Sequence, residues 1–222
     1  MIKHVKKALY LVVLTGLTGL NAVYAGSYED FFSAIARDDA AAVQTLLARG
    51  FDANTVNQKG DLGLMIAIKT PSPKVAQVLA NAPKIELNKL SAQGESPLML
   101  ASIQGYVALA EVLIKNGSDV NKTGWTPLHY AASKAQVPII KLLLENHAYI
   151  DAESPNGTTP LMMASMYGNA EAVQLLIDEG ADPMLKNSQG LTAQQFALKA
   201  ERPDSAALIL KAIRSKQSPG KW

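Results

Sequence analysis

The 222-residue chain contains no cysteine. That excludes a disulfide framework, thiolate catalysis and thiolate-rich metal sites. Histidine is nearly as scarce: His4, His129 and His147 are the three present, so imidazole chemistry would have to run through very few residues. There is no H-E-x-x-H, no glycine-rich phosphate loop and no G-x-S-x-G, which removes common zinc-hydrolase, nucleotide-binding and serine-hydrolase signatures. The acidic pairs Glu29-Asp30 and Asp38-Asp39 stand where acids favour a helix start, and no acidic loop has the ligand spacing of a calcium site. Twenty-one Lys and Arg against 19 Asp and Glu leave no strong charge of either sign, and no basic stripe suited to nucleic acid. The expectation is a protein with no enzyme activity, no cofactor, no metal and no nucleic-acid partner.

A membrane-spanning run is also missing. The apolar stretch from Ala8 to Leu20 has 13 residues and is interrupted by Thr and Gly, short of the roughly 20 that a spanning helix needs. Lys3, Lys6 and Lys7 precede it and Val23-Tyr24-Ala25 follows it. This pattern reads as a secretory signal peptide over residues 1–25, cut after Ala25; the competing reading is an uncleaved anchor. No cysteine lies near the cut for a lipid. Loss of three lysines leaves 18 basic against 19 acidic residues, a net charge of −1. An exported chain without disulfides points to a Gram-negative periplasm. The sequons at Asn116, Asn121 and Asn156 then read as plain turn residues. The polar end, 215–222, reads as a disordered tail.

What the chain has in quantity is repetition. Ser96-Pro97-Leu98 follows Gly94, Thr126-Pro127-Leu128-His129 follows Gly124, and Thr159-Pro160-Leu161 follows Gly157. The opening glycines Gly60, Gly94, Gly124, Gly157 and Gly190 are spaced by 34, 30, 33 and 33 residues, the period of a solenoid. After each opening come a small pair (Ala101-Ser102, Ala131-Ala132, Ala164-Ser165) and an apolar stripe such as Val107/Ala110/Leu113/Ile114, Ile139/Leu142/Leu143 or Val173/Leu175/Leu176/Ile177. Each unit therefore reads as two short helices back to back. Proline suits the first helical turn and the Thr or Ser before it can cap the helix. Units close on Gly50-Phe51-Asp52-Ala53-Asn54, Gly117-Ser118-Asp119-Val120-Asn121 and Gly180-Ala181-Asp182-Pro183, where glycine supplies a left-handed helix end. One such unit cannot bury its apolar face alone, so neighbours must stack.

These phrases resemble the ankyrin repeat family, whose T-P-L-H-x-A signature stands here as Thr126-Pro127-Leu128-His129-Tyr130-Ala131. The resemblance runs from about Tyr28 to about Arg214 and implies an all-α ankyrin-repeat solenoid of helix pairs with short β-hairpin fingers. About six repeats are expected, near 26–57, 58–91, 92–121, 122–154, 155–187 and 188–214, the end units degenerate as caps. The second unit, with Asp61-Leu62-Gly63-Leu64 and Thr70-Pro71-Ser72-Pro73, is also degenerate, Ser72 being the expected cap of its second helix. The family pattern implies that His129 bridges adjacent hairpin backbones. His147, where most units carry a closing glycine, reads as a helix-end residue favoured by the helix dipole.

Carried over position by position, the pattern places Asp61, Glu95, Trp125, Thr158 and Leu191, with Lys69-Thr70, Ile103-Gln104, Ser133-Lys134, Met166-Tyr167 and Lys199-Ala200, on a concave groove. From these the candidate partner-binding residues are Lys69, Glu95, Ile103, Gln104, Trp125, Ser133, Lys134, Thr158, Met166, Tyr167 and Lys199. Their apolar, aromatic middle within a charged rim has the arrangement of a protein-binding hot spot. Two residues, Lys122 and Thr123, separate Asn121 from Gly124 where other junctions carry five, so a shortened finger is expected to leave a notch beside Trp125. Resemblance to exported bacterial ankyrin proteins implies a monomeric module holding an unknown protein. It could serve as an accessory to peroxide-detoxifying enzymes such as catalase, as an immunity protein against a toxin, or as an envelope scaffold; a small ligand in the same groove is a further reading. If the leader is cut as read, intact-mass measurement of protein recovered from the periplasm gives a chain beginning at Gly26; a mass retaining residues 1–25 sinks the cleavage.

Overall fold

The structure, a computed structural model, describes residues 26–217. The expected signal peptide and residues 218–222 of the expected tail lie outside it. Two compact units divide at residue 85. The first contains α1 (26–36), α2 (Ala40–Ala48), α3 (Gly63–Lys69) and α4 (Pro73–Ala80). The second contains α5 (Pro97–Gln104), α6 (Val107–Lys115), α7 (Pro127–Ser133), α8 (Val137–Glu145), α9 (Pro160–Tyr167), α10 (Ala170–Asp178), α11 (Ala193–Lys199) and α12 (Pro203–Gln217). The helices pair as the repeat period predicts. The final helix runs to Gln217, so Ser215, Lys216 and Gln217 are helical rather than part of a disordered tail.

In the second unit the inner helices stack in order, α5 on α7, α7 on α9 and α9 on α11. The small pairs make this possible. Ala101, Ser102, Ala131, Ala132, Ala164 and Ser165 are all fully buried, and each buried serine hydroxyl donates within its own helix, Ser102 Oγ to Leu98 O at 2.7 Å and Ser165 Oγ to Leu161 O at 2.6 Å. Helix axes can approach closely without a large side chain between them, and neither of these two serine hydroxyls is left unmet. In the last pair Leu198 takes the place of Ser102, Ala132 and Ser165 and is 58% exposed. The outer helices bury Leu109/Ala110/Leu113, Ile139/Ile140/Leu143 and Ala172/Val173/Leu176. Val107, Ile114, Leu142, Leu175 and Ile177 of the expected stripes are half-buried.

Caps follow the sequence at α5, α9 and α11 but not at α7, where the Thr126 hydroxyl pairs with His129 Nδ1, or at α4. Ser96 Oγ, Thr159 Oγ1 and Thr192 Oγ1 accept from the amides of Met99, Met162 and Gln195, as N-caps do. Ser72 does not cap α4 through its side chain: its hydroxyl donates to Ile35 O at 2.7 Å, while Asp38 Oδ1 accepts from Val75 N at 2.9 Å. The degenerate start of the second repeat also has a packing cause. A Cβ on Gly63 would lie 2.6 Å from Phe31 Cε1, so the buried Phe31 ring takes the space that proline fills in other repeats.

Side chains from one repeat repeatedly satisfy backbone groups of the one before. Ser72 to Ile35 O, Gln136 Nε2 to Ile103 O and Arg202 Nε to Met166 O occupy the same repeat position, each meeting a carbonyl near a helix end. Arg202 adds Tyr167 O and Gly168 O. Only glycine suits position 168, where a Cβ would meet Ala132 O at 2.6 Å.

A second ladder runs through the closing residues. Asn88 and Asn121 each accept a backbone N–H, from Asp119 and Tyr149, and donate to Gly117 O and His147 O; within the first unit Asn54 Nδ2 donates to Lys84 O. His147, at φ +63°, holds the left-handed position of glycine just beyond α8, and its carbonyl takes the Asn121 bond. In the next repeat the rung is Asp151, which accepts from Asp182 N at 3.0 Å but as a carboxylate cannot donate to Gly180 O.

Burial pushes the Asp151 carboxyl up; the Asp182 amide pulls it down, the Asp182 charge raises it, and Lys216 lowers it. A carboxyl raised in the fold contributes stability that is present at pH values below the unfolded pKa and lost as pH rises through the folded one. Asp151→Asn is therefore expected to stabilise the chain at pH 7 by about 1 kcal/mol, in urea unfolding, and to remove that pH dependence; an unchanged or lower midpoint sinks this account of the ladder.

Candidate protein-binding groove

The fingers share one closing bond. The carbonyls of Asp61, Glu95, Thr158 and Leu191 accept from the amides of Asn57, Ser91, Ser154 and Asn187, four residues earlier, at 2.9–3.0 Å. Trp125 occupies the same repeat position, but the short finger brings no amide to it. The Lys122 ammonium instead donates to Trp125 O and Thr123 O, both at 3.2 Å. A Cβ on Gly124 would lie 3.5 Å from Pro155 Cδ, which brings the next finger against the shortened one. Apart from Trp125 itself, the concavity there is lined by residues of the inner helices.

That concavity has a volume of about 220 Å³ and is lined by Ile103 from α5, Trp125, then His129, Tyr130 and Ser133 from α7, and Met163 from α9. It unites three residues expected from sequence, Ile103, Trp125 and Ser133, with three that were not. Tyr130 and Met163 both lie three residues after a helix-opening proline, a spacing that could have marked them. The Ser133 hydroxyl donates to Tyr130 O at 2.8 Å. Burial raises the Tyr130 phenol, and the charge of Glu95 raises it further. Glu95 itself is half-buried in the preceding finger, with Ser91 Oγ 3.3 Å from its Oε2.

Other expected groove residues lie outside the pocket. Gln104, Lys134 and Lys199 are exposed at or beside the ends of α5, α7 and α11, Met166 is half-buried, and Tyr167 is 55% exposed on α9. Lys69 is the exposed last residue of α3 in the first unit. Thr158 is a correction: at 3% exposure it is withdrawn from any partner, because its amide donates to Ser154 Oγ and its carbonyl accepts from His129. The first unit holds a larger concavity of about 370 Å³, with Tyr28, Phe32, Ala36 and Ile66 among its lining and Asn57, Gln58 and Lys59 on its finger side. The i, i+4, i+8 spacing of its α1 residues was read only as part of a cap.

The sequence matches the family described as "Ankyrin repeats (3 copies)" over residues 31–123, 84–154 and 138–218. The chain belongs to the ankyrin repeat family. It is 35% identical over 130 residues to human BCL-6 corepressor-like protein 1, a match covering 57% of this chain but 7% of that protein. It is 27% identical to the ankyrin repeat protein YahD of Escherichia coli (strain K12), over 82% of this chain and 95% of that one. A chain of the solved complex of the Bd0816 predatory endopeptidase from Bdellovibrio bacteriovorus with immunity protein Bd3460 superposes with a TM-score of 0.70 at 27% identity, covering 82% of this chain and 97% of that chain. Ankyrin repeats indicate a protein–protein interaction module. Among the described residues no helix is long and apolar enough to cross a membrane.

Within the ankyrin repeats His129 bridges two turns and is fully buried. Its Nε2 lies 2.8 Å from Thr158 O; a carbonyl can only accept, so Nε2 carries the proton. Nδ1 then accepts from Thr126 N at 3.2 Å and Thr126 Oγ1 at 2.9 Å. Burial lowers the imidazole pKa to about 4, against the raising effect of the backbone bonds. The sign follows: the unfolded chain takes up a proton near pH 6.5 and the fold does not, so the stabilisation is complete above that value and is lost as pH falls toward 4. The loss is about 3 kcal/mol. His129→Phe should lower the urea midpoint at pH 7 and show a shallower decline than wild type between pH 7 and 4.5; parallel declines would remove His129 as the cause.

Proposed function

We propose that this ankyrin chain is a non-catalytic, periplasmic module that holds a protein partner across the inner-helix groove of its second unit. The observation that carries this reading is the Trp125 pocket, where an indole, Ile103 and Met163 surround a recess large enough for one side chain, with Glu95, Gln104, Lys134 and Tyr167 as polar or amphipathic surroundings. Apolar anchors within a polar rim concentrate binding energy because the centre loses water while the rim remains hydrated. Residues of the two ladders have their hydrogen bonds committed between repeats, so they leave the groove side chains as the variable part. No reacting constellation is apparent there: His129, the imidazole at the pocket, has both nitrogens engaged.

A second reading, neutralisation of an endopeptidase, is favoured by the solved endopeptidase–immunity protein complex, which contains a chain of this fold at similar length. An accessory role beside peroxide-detoxifying enzymes is the other partner class. Crosslinking of tagged protein in its native periplasm, followed by mass spectrometry, separates these roles. One partner is expected to be held by wild type and reduced at least tenfold for a Trp125→Ala/Tyr167→Ala variant whose circular dichroism melt shows it folded. Equal capture by both proteins would falsify the groove. If the partner is an endopeptidase, an equimolar amount of the chain should suppress its activity; undiminished activity removes the neutralising reading.

A further inference from the structure

The chemistry of the Trp125 pocket narrows what it can receive. Two aromatic rings, Trp125 and Tyr130, line a recess otherwise walled by Ile103, Met163, Ser133 and His129, and no Lys or Arg is among the lining residues. The imidazole brings no positive charge at neutral pH, because burial holds its pKa at about 4. It meets Trp125 as a T-shaped pair, with ring centroids 5.2 Å apart and planes at 77°. The charge of Glu95 reaches Tyr130, from the repeat position that Trp125 occupies one unit later. Lys122 is held by the Thr123 and Trp125 carbonyls, and Lys134 is exposed just beyond α7.

We propose that this pocket receives a basic side chain of the partner, arginine in preference to lysine. The proposal rests on the reading of the groove as a protein-binding surface and specifies its chemistry. Aromatic faces attract a cation through the negative potential above the ring, and the attraction strengthens as water is excluded. A guanidinium is planar and weakly hydrated, so it stacks on an indole at lower desolvation cost than an ammonium ion. A volume of about 220 Å³ admits one long side chain and no folded element. Glu95, whose charge acts on Tyr130 of the lining, supplies the complementary charge, from which a neutral apolar side chain would gain nothing.

The test uses small probes with no partner present. Butylguanidinium and butylurea have nearly the same shape and differ in charge; each is titrated into the chain carrying Trp222→Phe, so that the remaining indole NMR signal belongs to Trp125. Butylguanidinium is expected to shift that signal saturably and to bind at least about threefold to fivefold more tightly than butylurea. Glu95→Gln should weaken butylguanidinium by about threefold and leave butylurea unchanged. Equal affinity of the two probes, no shift with either, or no effect of Glu95→Gln overturns the proposal. The two readings fail separately: a partner lost by the Trp125 variant together with equal probe affinities keeps the groove and rejects the basic side chain. Cation-selective shifts with no Trp125-dependent partner reject the protein-binding groove and leave a cation site.

Discussion

Close stacking of the inner helices is the constraint on which the rest of the second unit depends. Each pair exposes an apolar face that water penalises, and the face is covered only when the next pair arrives. Ala101-Ser102, Ala131-Ala132 and Ala164-Ser165 set how near that neighbour can come. A larger side chain at these positions would push the helices apart and lengthen every bond that crosses between repeats. Leu198 marks the end of this rule: in the last pair the position is large and exposed.

Once the helices are that close, polar groups at their ends and in the fingers can be satisfied by the next repeat. Gln136 and Arg202 reach back to the carbonyl ends of inner helices, Asn88 and Asn121 tie closing turns together, and His129 joins its own N-cap to the following finger. These bonds are individually modest, but a buried donor or acceptor left without one is costly. They consequently fix the register of the stack more firmly than apolar contact alone, which is indifferent to small slips. The same commitment separates framework from groove: Thr158 and His129 are occupied with the backbone, whereas Trp125 and Tyr130 present rings to a recess.

The short finger illustrates how a local deletion is absorbed. Four fingers close on a backbone amide; at Trp125 the Lys122 ammonium takes that place. The indole keeps its repeat position while the chain around it is shorter. A lysine drawn toward carbonyls also stays out of the pocket lining, and this sets the electrostatic character of the recess as much as the aromatic residues do.

The sequence by itself determined the helix pairs, their period and most caps, because proline at the first turn, Thr or Ser before it and glycine after the second helix act within a few residues of themselves. It also identified Trp125, Ile103 and Ser133 as groove residues from their place in the repeat. Tertiary structure decided what depends on contacts about 30 residues apart. It buried Thr158, gave the cap of α4 to Asp38 instead of Ser72, left no room for a Cβ at Gly63 against Phe31, and added Tyr130 and Met163 to the recess. Local preferences fix where a helix begins, whereas exposure and hydrogen-bond partners are set by whichever side chain the neighbouring repeat brings against it.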